Sequence, residues 1–285
     1  DVLAEVTLME PRVPARISVD VPEATVSQLA GTRLDHVLYS GVLQVGYRPS
    51  NLPCSFLTGD GDLVGFDVEM AHILAQDLGV ELEFVPFEFD ALRRMLASGQ
   101  IDLAMSCIAS LPDRFAWASF SRPYLNLSLS LIVLDYEREK FADTQALRNL
   151  EGLRIAMIST EYWRNRIESF LPKAQFIELE AAEDFFADPP PADALLLSAE
   201  EGAAYTYRYP HFAVVPVGNP PVRLPVAYAV PKGDVEMMEF VSSWIDLKRG
   251  DNTIDNLYDY WMLGGASNKV EPRWSVIRDV LGWVN

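Results

Sequence analysis

A serine and a threonine stand where the start of a helix could bind an anion. Ser159 and Thr160 follow a predicted strand, residues 154–158, and open a predicted helix that extends to residue 170. The first amides of a helix have no partner inside the helix, and the helix dipole adds partial positive charge to them. The pattern indicates an anion site. Helix capping by the same hydroxyl groups explains it too, and the two roles are compatible.

The cysteines and histidines give no metal-ligand pattern. Neither Cys54 nor Cys107 has the spacing of a metal ligand, and the three histidines, His36, His72 and His211, lack a second ligand at helical or turn spacing. We therefore expect no metal and no cofactor. A single disulfide would suit an oxidising compartment, but two buried free thiols are the interpretation that we favour.

Carboxylates suited to acid–base catalysis are few. Glu200 and Glu201 are the only candidates, and neither belongs to a recognisable catalytic constellation. The sequence also lacks the patterns of a Ser/His/Asp triad, a phosphate-binding glycine loop and a His/Cys metal cluster. A binding protein is therefore a better expectation than an enzyme.

The elements that must position these residues alternate between strands and helices. Apolar residues between 68 and 78 recur at helical spacing, with Asp67 placed to cap the helix and Gly79 to end it. A shorter helix over residues 92–96 ends at Gly99. Strands are predicted at residues 42–46, 82–84 and 101–105. This alternation predicts a mainly parallel sheet, whose ligand sites lie beyond the carboxyl ends of its strands.

A second set of α/β elements begins at residue 154 and predicts a second lobe. Strands are expected at residues 154–158, 176–179, 194–197 and 213–217, with helices at 159–170 and from Ser198 onward. A strand at 226–230 and helices at 236–248 and 253–260 follow, and the first lobe is the natural partner for their apolar faces. Residues 1–35 contain three prolines and no sustained period, so we expect an extended lead-in.

Length and charge restrict the classes of function. The 285 residues, 49% of them hydrophobic, suit one large domain or two lobes. The net charge is −18, from 41 acidic and 23 basic residues, and no basic cluster could neutralise a phosphate backbone. Nucleic acid and anionic membrane surfaces are therefore poor partners. No apolar run approaches the roughly 18 residues that a membrane span needs.

Several blocks of sequence, in a fixed order, resemble one known family. Residues 65–78 read GFDVEMAHILAQDL, and further blocks lie at residues 89–92, 98–102, 112–114, 120–124, 228–233 and 247–261. They resemble family 3 of the bacterial extracellular solute-binding proteins, the amino-acid receptors of uptake systems, and the likeness covers residues 36–264.

The resemblance implies an α/β, two-lobe type II periplasmic-binding-protein fold that closes by a hinge on a ligand cleft between the lobes. Lobe 1 would be discontinuous, comprising residues 36–132 and 225–264, and lobe 2 would be residues 135–222. The crossovers are expected near residues 132–135 and 222–225. Residues 265–285 would form a helical tail.

The same resemblance suggests ligand contacts in lobe 1. Arg114 matches the arginine that binds the ligand's carboxylate, although a surface arginine paired with Asp113 would look the same in sequence. Phe89 matches an aromatic residue that packs on the ligand's body, a position that core packing also explains. Ser106, Cys107 and Ala109 lie in the loop that offers hydroxyl groups and amides to the carboxylate. Ala109 replaces the usual serine or threonine, which removes a hydrogen bond worth about 1 kcal/mol.

Two departures from the family pattern bear on the ligand. Ser198 aligns with the aspartate that receives the ligand's ammonium group, and serine cannot supply that charge. Glu200 or Glu201 could replace it, but we expect both to be solvated. Arg48 lies where receptors for cationic amino acids carry an acid, although a loop arginine is by default solvated. These features favour an acidic amino acid, a dicarboxylate or another organic acid. Tyr124, Tyr162 and Trp163 could line the site, but core positions are the better expectation.

The expected function is capture of a small carboxylate-bearing ligand for a membrane transporter, by a periplasmic or otherwise extracytoplasmic monomer. The transporter could be separate, as in ABC uptake systems, or fused, and the domain tethered to the inner membrane. The unusual lead-in and the tail of residues 265–285, which is amphipathic over residues 274–281, motivate the fusion. This arrangement resembles fusions of such a domain to dicarboxylate symporters, although a helix covering lobe 1 would explain the tail too. A dehydratase on the same fold, a sensory module and a degenerate domain that binds nothing are the alternatives.

Overall fold

The computed structural model describes residues 6–9, 13–18, 21–24, 31–158, 167–168 and 170–264. Contacts within the chain divide it into two compact units. The described residues up to Asn126 and from Pro225 onward form unit 1, and those of Leu127–Leu224 form unit 2. The predicted helix at residues 159–170 and the predicted tail at 265–285 fall mostly or wholly outside the described residues.

Unit 1 is built on a six-stranded sheet with helices between its strands. Its elements up to residue 120 are β1 Ala15–Ile17, α1 Arg33–Ser40, β2 Val42–Tyr47, β3 Ser50–Asn51, β4 Ser55–Leu57, β5 Leu63–Val64, α2 Phe66–Leu78, β6 Glu81–Pro86, α3 Phe89–Ser98, β7 Leu103–Ala104 and β8 Ala118–Phe120. A turn of 3-10 helix, Arg114–Ala116, precedes β8. β3, β4 and β5 form a small antiparallel sheet of their own.

Unit 2 holds the second sheet, and the chain then returns to unit 1. Its elements are β9 Leu125–Leu134, α4 Arg138–Ala142, α5 Thr144–Asn149, β10 Arg154–Ile158, β11 Gln175–Leu179, β12 Ala194–Ser198, α6 Ala199–Arg208, β13 Phe212–Pro216 and β14 Arg223–Val226. β15 Ala229–Pro231, α7 Val235–Gly250 and α8 Thr253–Trp261 complete unit 1.

Both sheets are largely parallel, as the alternation of elements predicts. In unit 1 the strand order is β1-β6-β2-β7-β15-β8, with the first four strands parallel and β15 antiparallel to both of its neighbours. In unit 2 the order is β11-β10-β12-β9-β13, with β9 antiparallel to its neighbours. The carboxyl ends of the parallel strands therefore share one edge in each sheet.

Glycines end the helices where the sequence predicts. Gly79 ends α2 and Gly99 ends α3, each in the left-handed conformation that a residue without Cβ adopts at low cost. At the other end of α2, Gly65 has φ 134°, and a Cβ placed there would lie 2.4 Å from the carbonyl oxygen of Cys54. Close approach of two backbone segments therefore requires glycine at residue 65.

The helix α3 is anchored by the apolar stripe that predicted it. Leu92, Met95 and Leu96 are buried against Val85 and Ile108 in one cluster. Burying side chains of this size contributes roughly 2 kcal/mol each. The cluster fixes the start of α3 beside the loop that follows β7.

The lead-in contains a strand that the sequence does not predict. β1 runs parallel to β6, with Ala15 opposite Leu82, and extends the sheet of unit 1 by one edge strand. All three residues of β1 are exposed, so no alternation of apolar and polar residues marks the strand. An extended lead-in was expected and β1 is extended, but its pairing with β6 was not predicted.

The first passage of the chain between units lies upstream of the expected position. The predicted crossover is at residues 132–135, whereas the contact boundary falls between Asn126 and Leu127. β9 continues to Leu134 and pairs along most of its length with β12 and β13 of unit 2. Residues 132–134, which the family resemblance placed at a connection, therefore belong to a strand of the second sheet. The second boundary, Leu224 to Pro225, falls within the expected residues 222–225.

Candidate functional site

Three loops of unit 1 meet at the carboxyl edge of its sheet. Arg48 follows β2, Phe89 starts α3 just after β6, and Ser106 follows β7. The register places Tyr47 of β2 opposite Pro86 of β6, and β2 is also parallel to β7. Ligand sites of parallel sheets lie at this edge.

Arg114 is the centre of the site. Its side chain is buried, and its guanidinium carbon lies 4.3 Å from the centroid of the Phe89 ring. Its Nη1 donates a 2.7 Å hydrogen bond to the carbonyl oxygen of Ala109. Stacking and this bond hold the guanidinium plane in one orientation while most of its five donors stay available. Among the described residues no carboxylate forms an ion pair with Arg114, so the alternative of a surface pair with Asp113 is not observed.

The electrostatics of Arg114 favour an anion. Burial lowers the pKa of its guanidinium to about 10, Asp113 opposes this decrease, and the positive charge of Arg48 adds to it. A group with that pKa is still a cation at neutral pH. A buried cation without a counter-ion is costly, so an anion placed against it would be strongly favoured.

Ala109 presents a free amide beside this cation. The neighbouring backbone pairs with the returning chain: the amide of Ala227 donates to Ile108, and the amide of Ser110 donates to Pro225. The Ala109 carbonyl accepts from Arg114. The Ala109 N–H has no hydrogen bond to any part of the chain that the structure describes, and the residue is only partly buried. A main-chain donor thus remains although the side-chain hydroxyl group is missing.

Ser106 shapes the site through its contacts with protein groups. The buried Ser106 Oγ lies 2.7 Å from Ser55 Oγ and accepts from the amide of Arg48 at 3.2 Å. Asn51 Nδ2 donates to the Ser106 carbonyl at 2.6 Å. The hydroxyl group that was predicted to reach the ligand therefore ties the loop after β7 to the loop after β2.

Cys107 is covalently attached to that same loop. A disulfide joins Cys54 to Cys107 across 53 positions in sequence, so the prediction of two free thiols is wrong. Cys54, Asp67 and Cys107 bring side-chain ligand atoms within 4.8 Å of one another. Because metal binding by cysteine requires a thiolate, the disulfide removes two of these three ligands.

Asp67 has a different role from the predicted helix cap. It is the second residue of α2, whose N-cap is Gly65, and its carboxylate accepts from the amide of Cys107 at 2.5 Å. The hydroxyl groups of Tyr124 and Tyr228 donate to it at 2.8 and 3.1 Å. Burial raises its pKa to about 6, and these three hydrogen bonds oppose the increase. The sequence feature that could have indicated this role is an acidic residue on the apolar face of α2, where a buried carboxylate needs hydrogen-bond donors.

Tyr124 lies in the interior of unit 1, which is the core position that the sequence pattern favoured over a place lining the site. Its ring stacks on Tyr228 with centroids 4.2 Å apart and on Phe66 at 5.8 Å. The other two aromatic candidates, Tyr162 and Trp163, lie outside the described residues.

In unit 2 the described candidate is Ser198. It stands at the carboxyl end of β12 and caps α6, its Oγ accepting from the amide of Glu201 at 3.1 Å. Glu200 is buried, with 3% of its surface exposed, and its Oε2 accepts from the amide of Ser128. The expectation of a solvated Glu200 is therefore wrong. Ser159 and Thr160 lie outside the described residues.

Comparison with known proteins places this geometry in a family. The model of the bacterial extracellular solute-binding proteins, family 3, matches residues 43–264. The chain belongs to this family. The solute-binding proteins of family 3 have the type II periplasmic-binding-protein fold, which confirms the predicted fold class. Among the helices of the described segments, none is both long and apolar enough to cross a membrane.

Relatives within the family include receptors and an enzyme. The chain is 28% identical over 239 residues to a cyclohexadienyl dehydratase of Pseudomonas aeruginosa, covering 82% of this chain and 88% of that one. It is 25% identical over 236 residues to the L-cystine-binding protein TcyJ of Escherichia coli, covering 80% of this chain and 85% of the relative.

A solved structure of a third relative has the same fold. The ancestral amino acid-binding protein AncCDT-1, described as a precursor of cyclohexadienyl dehydratase, aligns with a TM-score of 0.71 at 29% identity. The alignment covers 80% of this chain and 99% of that protein. The family thus contains binding proteins for amino acids and at least one enzyme, and membership alone does not choose between them.

Proposed function

We propose that this chain is a receptor that captures a small carboxylate-bearing ligand for a membrane transporter, with the carboxylate bound by Arg114. The observation that carries the proposal is the orientation of Arg114, which is buried, stacked on Phe89 and without a carboxylate partner among the described residues. An arginine fixed in this way can present two parallel donors to both oxygens of a carboxylate. The free amide of Ala109 supplies a further donor at the same place.

A second cation favours a ligand that carries two negative groups. Arg48 follows β2 at the same edge of the sheet, and its positive charge adds a smaller contribution to the decrease that burial causes in the pKa of Arg114. No ion pair neutralises Arg48 within the described segments. Two unpaired arginines repel each other, so a ligand with one carboxylate for each would relieve that repulsion.

The unit 2 position that resembles the ammonium acceptor carries no charge. Ser198 uses its hydroxyl oxygen to cap α6, and the carboxylate of Glu200 accepts from a backbone amide. A cationic amino acid would therefore meet two arginines and find no acidic residue at the family position. We accordingly propose an acidic amino acid, a dicarboxylate or another organic acid as the ligand.

A thermal-shift screen tests the class of ligand. Acidic, neutral and basic amino acids, dicarboxylates and aromatic acids are added to the wild type, to Arg114→Ala and to Arg93→Ala. Arg93 is an exposed arginine of α3, so its removal controls for the loss of one positive charge from unit 1. Binding to the native state alone raises the melting temperature. We expect anionic ligands to raise it in the wild type and in Arg93→Ala but not in Arg114→Ala. A shift with basic amino acids alone would refute the anionic ligand.

A dehydratase is the second candidate function. The similarity to the Pseudomonas aeruginosa cyclohexadienyl dehydratase and the buried carboxylate of Glu200 both favour it. Burial is one way in which enzymes adapt a carboxyl group to general acid catalysis, and Glu200 is buried. Its bond from the Ser128 amide, however, already gives that carboxylate a structural role.

Turnover separates the two candidates. A prephenate-like cyclohexadienyl carboxylate is incubated with the protein, and the aromatic product is followed by absorbance. Steady turnover by the wild type that Glu200→Gln abolishes would establish the enzyme. Recovery of the carboxylate unchanged, together with a thermal shift, supports the receptor.

A further inference from the structure

The loop that carries Ala109 has an unusual backbone at Cys107. Cys107 has φ 46°, and Asn252 is the only other non-glycine residue with positive φ that the described part of the chain contains. A residue with a Cβ keeps this conformation only where surrounding structure enforces it. The groups that hold Cys107 therefore decide the shape of the loop.

One of these groups is the disulfide to Cys54. The amide of Cys54 donates to Asn51, whose side chain donates in turn to the Ser106 carbonyl. The amide of Arg48 donates to Ser106 Oγ. The disulfide thus joins the loop that bears Arg48 to the loop that leads to Ala109 and Arg114.

The second group is the carboxylate of Asp67. It accepts the Cys107 amide, and its remaining bonds come from Tyr124 and Tyr228. These two tyrosines and the amide are the groups that act on Asp67 within the described residues, and neither tyrosine carries charge at neutral pH because burial and the nearby carboxylate raise both of their pKa values. A charge-assisted bond of this kind is roughly twice as strong as a neutral one.

The backbone conformation at Cys107 affects the position of the groups proposed to bind the ligand. Two residues further on, Ala109 offers its free N–H and holds Arg114 through its carbonyl. The antiparallel bridge between Ala109 and Val226 holds the backbone on both sides of Ala109, through the Ile108 carbonyl and the Ser110 amide. Ile108 is covalently bonded to both Cys107 and Ala109, so a change at Cys107 would pass through Ile108 to the amide and the carbonyl of Ala109, and from that carbonyl to the guanidinium.

Resting on the carboxylate site proposed above, we propose that Asp67 and the Cys54–Cys107 disulfide are its positioning groups. Neither would touch the ligand. Both would hold the loop of residues 106–109 in the conformation that places the Ala109 amide and Arg114 for binding. The ionised carboxylate of Asp67 is the competent form, so ligand affinity depends on its ionisation.

The test uses L-aspartate and L-tartrate as probes, because their acidic groups are largely ionised at pH 5 and above. Calorimetric titrations are run between pH 5 and pH 8 on the wild type, Asp67→Asn, Cys54→Ser/Cys107→Ser and Asp102→Asn. Asp102 is a matched control: it is a second buried carboxylate of unit 1, bonded to the amide of Gln44 and facing Arg33, and it has no bond to the ligand loop. Melting curves show that each variant is folded.

The expected results follow from the fraction of Asp67 that is ionised. With a pKa of about 6, the ionised fraction falls about tenfold between pH 8 and pH 5, and the dissociation constant of the wild type should rise about tenfold. Asp102→Asn should reproduce this profile. Asp67→Asn should bind at least about tenfold more weakly at pH 8, with no dependence on pH, and the double serine variant should be weakened at every pH.

Three results would overturn the proposal. A flat wild-type profile would remove the role of ionisation, and a folded Asp67→Asn with wild-type affinity and profile would remove the role of that residue. A double serine variant with wild-type affinity would show that the disulfide has no role in positioning the site. In all three cases the wild type still binds, and the carboxylate site stands. Failure of the wild type to bind either probe would instead overturn both proposals together.

Discussion

Removal of the disulfide should destabilise the protein by a magnitude that follows from its position. Cys54 and Cys107 are 53 residues apart, and closing a loop of that length in the unfolded chain corresponds to about 4 kcal/mol at 25 °C. In Cys54→Ser/Cys107→Ser the unfolded chain regains that freedom. The serine oxygens leave the two loops joined only by the bonds around Ser106, so we expect the free energy of unfolding to fall by about 4 kcal/mol.

Urea unfolding followed by circular dichroism measures this change. Wild-type protein treated with a dithiol reductant should unfold at the same urea concentration as the double variant, because both lack the covalent link. Thiol titration of the unfolded, unreduced wild type provides an independent control and should find no free thiol. A loss of stability below about 1 kcal/mol, or two titratable thiols, would refute the pairing and the argument from loop closure.

Three further substitutions probe the site and the backbone around it. Arg114→Lys should raise the dissociation constant of an anionic ligand at least about tenfold, because lysine lacks the planar pair of donors that stacks on the ring, whereas calorimetry should find Arg93→Ala unchanged. Asp67 has a raised pKa in the fold, so its contribution to stability is complete below pH 3.8 and is lost as the pH rises through about 6. Relative to Asp67→Asn, the wild type should therefore lose about 2 kcal/mol of unfolding free energy between about pH 4 and pH 7 in urea titrations, and parallel curves would contradict this. Gly65→Ala should cost more than about 2 kcal/mol in thermal unfolding, because its Cβ would meet a backbone oxygen, and Gly250→Ala, with open space around it, should not destabilise the protein.

Periodicity predicted the elements whose faces differ sharply. The helices α2 and α3 have apolar stripes and glycine ends, and both were located correctly. β1 escaped prediction because it is exposed and gains its order from pairing with β6, which is a distant segment of the chain. The end of unit 1 was misplaced because the crossover near residues 132–135 was taken from the family resemblance, which does not show that β9 continues through these residues and pairs within the second sheet.

For the candidate site, too, some residues were found from the sequence and others were missed. Phe89 and Arg114 lie within matched blocks, Ala109 lies in the loop between them that departs from the family pattern, and the role of all three as ligand contacts stays a prediction. The pairing of Cys54 with Cys107 and the burial of Glu200 could not be read from spacing, because both depend on which segments meet in three dimensions. Asp67 was predicted to cap α2, because a carboxylate near a helix start is usually a cap, whereas its carboxylate accepts from the amide of Cys107.

Calorimetric titration of the wild type, Arg114→Ala and Arg93→Ala with L-aspartate and L-tartrate at neutral pH tests the central claim most directly. Saturable binding to the wild type and to Arg93→Ala, with none detectable for Arg114→Ala, is the result predicted by a buried arginine that has no carboxylate partner among the described residues. Binding that survives in Arg114→Ala at wild-type affinity, or no binding of either probe to the wild type, would contradict the assignment of this site to an anionic ligand.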